Sequence, residues 1–253
     1  MEAKTSRTEQ PRKEADCLVI QIPHVSQLAE WDCGLACVLA LCQAVGLLMD
    51  YEEVLADVGT QSIWTADLAS VLCDYGFSVH MYTITFGVDM SLASNPYYQQ
   101  GWDEDEHRIA QLFSTASQRG LQITQTSVSL SDLINWLCQD AILVLLVDKR
   151  LLSCQICPIS QDTEKEETKL KEEDYFIGHF ILLTRFTADA GASSVTQEGV
   201  FEYLDPARGP ERCEVKADVL EAARLSHGTD EDVLVVTGLL QLARQLTPAS
   251  ALQ

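Results

Sequence analysis

The sequence predicts a mixed α/β (α+β) fold, with a helical first half and a strand-rich second half. Apolar residues recur at helical spacing in the first half, whereas uninterrupted or alternating apolar runs of strand length dominate the second. In addition, 47% of the 253 residues are hydrophobic, which is enough to fill a sizeable core. We therefore expect a disordered lead at 1–16, a single globular domain at 17–240 and a C-terminal tail at 241–253.

The helices are predicted from apolar periodicity and from capping residues. The first begins near Cys33 and ends near Gly46, where glycine can adopt the left-handed conformation. The others are expected at 51–58, at 66–75 with Thr65 as N-cap, at 104–118, at 129–139 with Ser129 and Asp132 in a capping box, and at 215–226.

The strands are predicted from short apolar runs, at 17–25, 77–86, 121–127, 141–148, 178–186, 200–204 and 233–239. The run AILVLLVD at 141–148 has no polar residue before its final aspartate, so this strand should be covered on both faces. A charge-rich segment at 149–174 then interrupts the pattern, and we expect it to form an exposed insertion.

The charge balance limits the partners of the protein. It has 38 acidic and 17 basic residues, giving a net charge of −21 that repels phosphate backbones and anionic membranes. We expect no nucleic-acid or membrane partner; a neutral or cationic peptide would be attracted, although a charge of this sign also simply favours solubility. The N-terminus lacks the apolar core of a signal peptide, so we expect the protein in the cytoplasm or in both the cytoplasm and the nucleus. The oligomeric state does not follow from the sequence.

Cys33 is a candidate nucleophile because it lies where the first helix should begin. Unpaired backbone N–H groups and the positive end of the helix dipole favour thiolate over thiol at such a position. Asp32 could cap this helix, although its charge opposes thiolate formation. The alternative is a core cysteine, as expected for Cys37 and Cys42 in the same segment.

Two later residues complete a possible catalytic set. His179 opens the strand GHFILLTRF, and Asp205 closes the strand before Pro206. Cysteine, histidine and aspartate at the ends of elements can serve as nucleophile, base and orienting group. His24 is the rival base, because it is close to Cys33 in sequence.

The segment from Gln27 to Cys37 and the sequences around His179 and Asp205 resemble the motifs of the papain-like C39 cysteine peptidases. The resemblance implies a papain-like fold, with an N-terminal helical lobe and a C-terminal antiparallel sheet lobe. It also implies that Cys33 is the nucleophile, His179 the general base and acid, Asp205 the group that orients the imidazole, and Gln27 a donor to the oxyanion. The implied activity is hydrolysis or acyl transfer at a peptide or isopeptide bond of a peptide or protein substrate, without a cofactor.

Nearly the whole chain also resembles the eukaryotic guanylyl cyclase domain-containing protein family, whose name implies a different reaction. Cyclisation of GTP requires carboxylates that hold Mg²⁺ and basic residues that neutralise developing charge. The acidic runs at 103–106 and 230–232 are instead expected to be solvated faces. Guanylyl cyclase activity therefore stays one alternative, and a catalytically silent peptide-binding or protein-binding module is another.

The pair Cys154 and Cys157 could belong to a zinc or redox site. Structural zinc usually takes four ligands from two such pairs, and the sequence has no second CxxC or HxxxH. We therefore expect no metal and two solvent-facing or loosely packed thiols. The total of nine cysteines is odd, which favours reduced thiols over a disulfide framework.

Overall fold

The structure, a computed structural model, describes residues 20–88, 102–157, 175–189, 198–209 and 212–246. These ranges contain seven strands: β1 Ser78–Thr83, β2 Gln122–Gln125, β3 Ile142–Asp148, β4 Gly178–Ala188, β5 Gly199–Leu204, β6 Cys213–Lys216 and β7 Val233–Thr237. They also contain seven α-helices: α1 Cys33–Ala44, α2 Tyr51–Val58, α3 Thr65–Asp74, α4 Trp102–Thr115, α5 Leu130–Leu137, α6 Ala217–Arg224 and α7 Leu239–Leu246. A 3₁₀ helix at Ala116–Arg119 follows α4.

The described strands form one sheet in the order β2-β1-β7-β3-β4-β5-β6. The pairing is antiparallel throughout, except that β1 and β2 are parallel. The mixed α/β class is thus confirmed, and the sheet is mostly antiparallel. Because β4 lies between β3 and β5, the start of β4 and the end of β5 are neighbours.

Helices pack against both faces of the sheet. Alternate residues of β3 face opposite sides: Ile142 and Val144 join the core formed with α1 and α3, whereas Leu143 and Leu145 join the core formed with α5 and α6. The prediction that this strand is covered on both faces is therefore confirmed. Helices α1, α3, α5 and α6 lie directly on the sheet, whereas α2 packs on α1 and α3. Helix α1 packs against β4, whose second residue is His179, the predicted base.

Several predicted helix ends are confirmed, and one is corrected. Gly46, which follows α1, has φ 78°, and helix α5 has the predicted capping box of Ser129 and Asp132. Helix α3 differs, because Trp64 rather than Thr65 is its N-cap, and the backbone N–H of Trp64 donates to the carboxylate of Asp67.

Other differences arise where tertiary contacts decide the structure. Residues 20–25 of the predicted first strand are not in a strand, although Ile22 is buried. Residues 213–216, which the sequence placed before or within a helix, form the edge strand β6 on β5. Residues 241–246 of the predicted tail belong to α7, whose Leu242 is buried. The predicted lead at 1–16 and residues 158–174 of the insertion lie outside the described residues.

A search of the described helices finds none with the length and hydropathy that a membrane span requires.

Candidate active site

Cys33 is the first residue of α1, as predicted, and its side chain lies between this helix and the sheet. The residue is only 2% exposed. The backbone N–H of Phe180, in β4, donates to Cys33 Sγ at 3.3 Å. The sulfur therefore accepts a backbone hydrogen bond at the start of a helix, where N–H groups have no intrahelical partner. Cys33 is therefore buried, but in a polar contact rather than surrounded by hydrocarbon alone.

The loop before Cys33 is held by the carboxylate of Asp32. This buried carboxylate accepts hydrogen bonds from the backbone N–H groups of Leu28 and Ala29, each at 3.1 Å, and from Tyr51 Oη at 2.8 Å. Burial and the contact with Asp32 raise the pKa of Tyr51 to about 12. The expectation that Asp32 caps the helix is wrong, because its side chain is turned back toward the loop and makes no cap hydrogen bond.

His179 lies between the aspartate and the cysteine. Its Nε2 is 2.7 Å from Asp205 Oδ1, and the ring also interacts electrostatically with the sulfur of Cys33. Since Nε2 is engaged by the carboxylate, Nδ1 is the nitrogen left for the sulfur. Burial lowers the pKa of His179, but the Asp205 carboxylate and the Cys33 sulfur outweigh it and raise that pKa to about 9. The imidazolium form is thus stabilised chiefly by the Asp205 carboxylate.

Asp205 is positioned by the pairing of β4 with β5. Leu182 lies opposite Leu204, so the residue after Leu204 reaches the beginning of β4, where His179 is. The carboxylate also accepts from the backbone N–H of Ala207 at 2.9 Å and lies 3.3 Å from Arg208 Nε. Burial raises the pKa of Asp205, but His179 and these donors reverse the effect and lower it. Asp205 is therefore held as a carboxylate.

His24, the rival base, is also near the site but has a different partner. Its Nε2 lies 2.9 Å from the backbone carbonyl oxygen of Asp205, so this ring nitrogen donates to the carbonyl. The contact ties the segment before α1 to the end of β5. A positioning role for His24 fits this geometry.

Gln27 lies next to the same strand end, with its amide directed elsewhere than predicted. The backbone N–H of Gln27 donates to the carbonyl of Pro206 at 2.9 Å, and its side-chain Nε2 donates to the carbonyl of Ala29 at 2.7 Å. One Nε2 hydrogen is therefore already used, and an oxyanion would have to accept the second. The side-chain Oε1 is buried without a hydrogen-bond partner.

The two acidic runs are not simply solvated, which corrects the sequence prediction. Asp105, Asp230 and Asp232 are all buried. Asp105 binds Arg108, which also binds Asp67, and thereby joins α3 to α4. Burial and the charge of Asp230 raise the pKa of Asp232 to about 7. These carboxylates are built into the fold, and Asp105 has in Arg108 a cation that the sequence reading did not associate with it.

A cysteine cluster lies at a second place, beside β6. Cys213, the first residue of β6, brings its sulfur to those of Cys154 and Cys157. The sequence reading singled out the CxxC pair but not Cys213, because nothing in the spacing connects residues this far apart. Within the described residues, this cluster is the group of side chains suited to hold a metal ion.

Comparison with known proteins identifies one family over most of the chain. The family described as guanylylate cyclase matches residues 22–236. A protein named guanylyl cyclase 1, from Arabidopsis thaliana, is 34% identical over 223 residues, which cover 86% of this chain and 76% of the relative. No solved structure matches the chain significantly. The matched span includes Cys33, His179 and Asp205.

Proposed function

The chain belongs to the guanylylate cyclase family, and from the geometry around Cys33 we propose that it is a thiol-dependent hydrolase or acyl transferase with a papain-like, C39-type fold. One observation carries the proposal: the His179 imidazole, 2.7 Å from Asp205 Oδ1, interacts electrostatically with both that carboxylate and the sulfur of Cys33. A nucleophile, a base and an orienting carboxylate in this order are the arrangement required for acyl transfer through a thioester.

Each group has a defined part in the proposed reaction. The Cys33 thiolate attacks the carbonyl carbon of a peptide or isopeptide bond, and the His179 imidazolium protonates the leaving amine as the carbon–nitrogen bond breaks. The thioester that remains is then attacked by water or by a second amine, and His179 accepts the proton of that nucleophile. Asp205 fixes the ring and stabilises its charged form.

The oxyanion of the tetrahedral intermediate would lie near the start of α1. Backbone N–H groups in the first turn of a helix have no intrahelical acceptor, so the N–H of Cys33 is a suitable donor. The second Nε2 hydrogen of Gln27 is the proposed side-chain donor. Loss of one fixed donor of this kind raises a barrier by roughly 3 to 4 kcal/mol.

Burial of the site shapes how a substrate reaches it. Cys33 and His179 are each 2% exposed, so neighbouring side chains must move before a carbonyl carbon can contact the sulfur. The net charge of −21 attracts a neutral or cationic peptide more than an anionic one. We therefore propose a peptide or protein substrate that enters as an extended segment.

The proposal can be tested without knowing the natural substrate. p-Nitrophenyl acetate is a small activated ester, and attack by Cys33 would release p-nitrophenolate and leave an acetyl thioester on that residue. We expect an initial burst of nitrophenolate, and an added acetyl group on the Cys33 peptide in mass spectrometry. Both should be lost in Cys33→Ser. His179→Ala should lower the rate constant of the burst by at least roughly 100-fold, which is the usual contribution of general base catalysis.

Cys37 is a matched control within the same helix. It is buried to the same degree as Cys33, and burial together with the nearby Cys33 charge raises its pKa. Cys37→Ser should therefore keep the burst. Acetylation of Cys33 and Cys37 to equal extents, or a burst that survives His179→Ala, would contradict an activated nucleophile.

Guanylyl cyclase activity is the second candidate, favoured by the family match and by the name of the plant relative. The test is incubation with GTP and Mg²⁺, followed by measurement of cyclic GMP and pyrophosphate. Cyclic GMP formation that survives Cys33→Ser would support the cyclase and separate it from the thiol site. If neither acetylation of Cys33 nor cyclic GMP is found, the binding-module alternative is supported.

A further inference from the structure

Three thiols converge at the edge of the sheet, and none of them belongs to the proposed catalytic set. Cys154 and Cys157 belong to the turn after β3, and Cys213 is the first residue of β6. Their sulfur atoms all lie within 4.8 Å of one another, and those of Cys157 and Cys213 are 3.3 Å apart. Cys213 is buried, whereas the other two are partly exposed. The cluster therefore has a closed side and a side toward solvent.

Backbone hydrogen bonds hold the turn in place and converge on one sulfur. The N–H of Gln155 donates to the carbonyl of Glu214 at 2.8 Å, which docks the turn onto β6. The N–H groups of Cys157 and Glu214 donate to Cys154 Sγ at 3.3 and 3.4 Å. Donors directed at a sulfur favour the thiolate, which is the form that binds metal. Donors of this kind also orient a ligand before the metal arrives.

We propose that Cys154, Cys157 and Cys213 bind a zinc ion. Zinc–sulfur bonds of about 2.3 Å in a tetrahedron place the sulfurs roughly 3.8 Å apart, and the observed spacing brackets this value. Thiolates are the soft ligands that zinc selects. Among the described residues no fourth cysteine, histidine or carboxylate joins the group, so the fourth position faces solvent and takes water or a small ligand.

The electrostatics of the cluster also favour a cation. Three anionic sulfurs within 4.8 Å of one another repel each other, so they do not coexist there without a compensating charge. Zinc supplies that charge, and each thiol that binds releases one proton to solvent.

A buried tyrosine next to the cluster adds an independent observation. Tyr203 lies opposite Cys213 in the pairing of β5 with β6. Its hydroxyl is buried and has no hydrogen-bond partner in the structure, and it interacts electrostatically with Cys213 and Cys154. A buried hydroxyl without a partner is costly, and a metal-bound sulfur or water offers it an acceptor.

The test is the metal content of the full chain, purified in reducing buffer from cells grown with added zinc. We expect about one zinc per chain by mass spectrometry of the metal, and at least a fivefold lower content in Cys213→Ser. The matched control is Cys138→Ser, since Cys138 is an exposed thiol outside the cluster and its loss should leave the zinc in place. Cobalt added to the metal-free protein should give thiolate-to-cobalt charge-transfer absorption and a tetrahedral d–d spectrum.

A second measurement does not depend on how the variants fold. In wild type, zinc should protect Cys154, Cys157 and Cys213 from alkylation, and removal of zinc with a chelator should increase their labelling at least tenfold while leaving Cys138 unchanged. Two results would overturn the proposal. One is metal-free protein in which Cys157 and Cys213 are joined as a disulfide, which would indicate a redox pair. The other is metal-free protein with three reduced thiols and no cobalt spectrum.

Discussion

Replacing Asp205 with asparagine should remove the pH dependence that His179 gives to the stability of the fold. The substitution keeps the size of the side chain and an oxygen that can accept from the imidazole, but it removes the negative charge. In the wild type, burial lowers the pKa of His179, while the Asp205 carboxylate and Cys33 raise it, and the result is a value of about 9. In an unfolded chain an imidazole titrates near 6.5.

The size of the effect follows from these two pKa values. A group whose pKa is higher in the folded state stabilises the fold fully below about pH 6.5, and this contribution is lost as the pH rises through about 9. A pKa difference of about 2.5, at roughly 1.4 kcal/mol for each pH unit, amounts to about 3 kcal/mol. In Asp205→Asn the attraction of the carboxylate is absent and only Cys33 still opposes burial, so the pKa of His179 should fall. The difference in unfolding free energy between wild type and variant should therefore shrink by up to about 3 kcal/mol between pH 6.5 and pH 10.

The assay is urea denaturation followed by tryptophan fluorescence, with both proteins measured at about pH 6.5, 8 and 10 in one buffer mixture. Groups that do not interact with His179, Asp205 or Cys33 titrate alike in both proteins and cancel in the difference. Asp74→Asn is the matched control, because Asp74 pairs with Arg119 at 2.7 Å and its side chain is 52% exposed. We expect that control to cost less than about 1 kcal/mol at every pH. A gap for Asp205→Asn that is the same at pH 6.5 and 10 would refute a charged imidazole beside a carboxylate.

Three further substitutions test the packing and the buried charges. In Gly34→Ala the new Cβ would lie 2.8 Å from Leu68 Cδ1, so the unfolding free energy should fall by about 1 to 3 kcal/mol. An unchanged urea midpoint would show that α1 and α3 leave room for a methyl group at this position. Tyr51→Phe removes the hydroxyl that donates to Asp32 at 2.8 Å, and should cost about 1 to 3 kcal/mol in the same assay; no loss would mean that water replaces the donor. Arg108→Met leaves Asp67 and Asp105 buried without their cation, which should cost about 3 to 5 kcal/mol at pH 7. Burial already raises the pKa of Asp67 to about 6, so protonation should reduce that cost near pH 5, and equal losses in thermal unfolding at both pH values would contradict this reasoning.

Local features of the fold were predictable from the sequence because they depend on residues near one another in the chain. Helix α2 follows from Asp50 and Glu53, which form a capping box, and from Gly59, whose φ is 73°. Strand β3 follows from an apolar run that fits only a strand covered on both faces. By contrast, β6 has four residues, and it is a strand because β5 supplies its hydrogen-bond partners.

The candidate active site was predictable as a set of residues but not as a geometry. The segment from Ala188 to Gly199 would leave Asp205 uncertain if position depended on loop length. Instead, β4 and β5 are paired from Ala188 opposite Gly199 to Leu182 opposite Leu204. This pairing fixes the end of β5 beside His179 independently of the length of the connecting segment. Gln27 had no such constraint, and its amide took the nearest carbonyl, that of Ala29.

The same reasoning explains why the third cysteine of the proposed zinc site escaped the sequence reading. A CxxC pair is visible because its two residues are close in the chain, but a third ligand can come from any strand that passes the turn. Cys213 reaches the pair because β6 lies at the edge of the sheet, where the turn after β3 docks through Gln155 and Glu214. A sequence search for metal sites that requires two CxxC pairs will therefore miss sites in which the edge of a sheet supplies the remaining ligand.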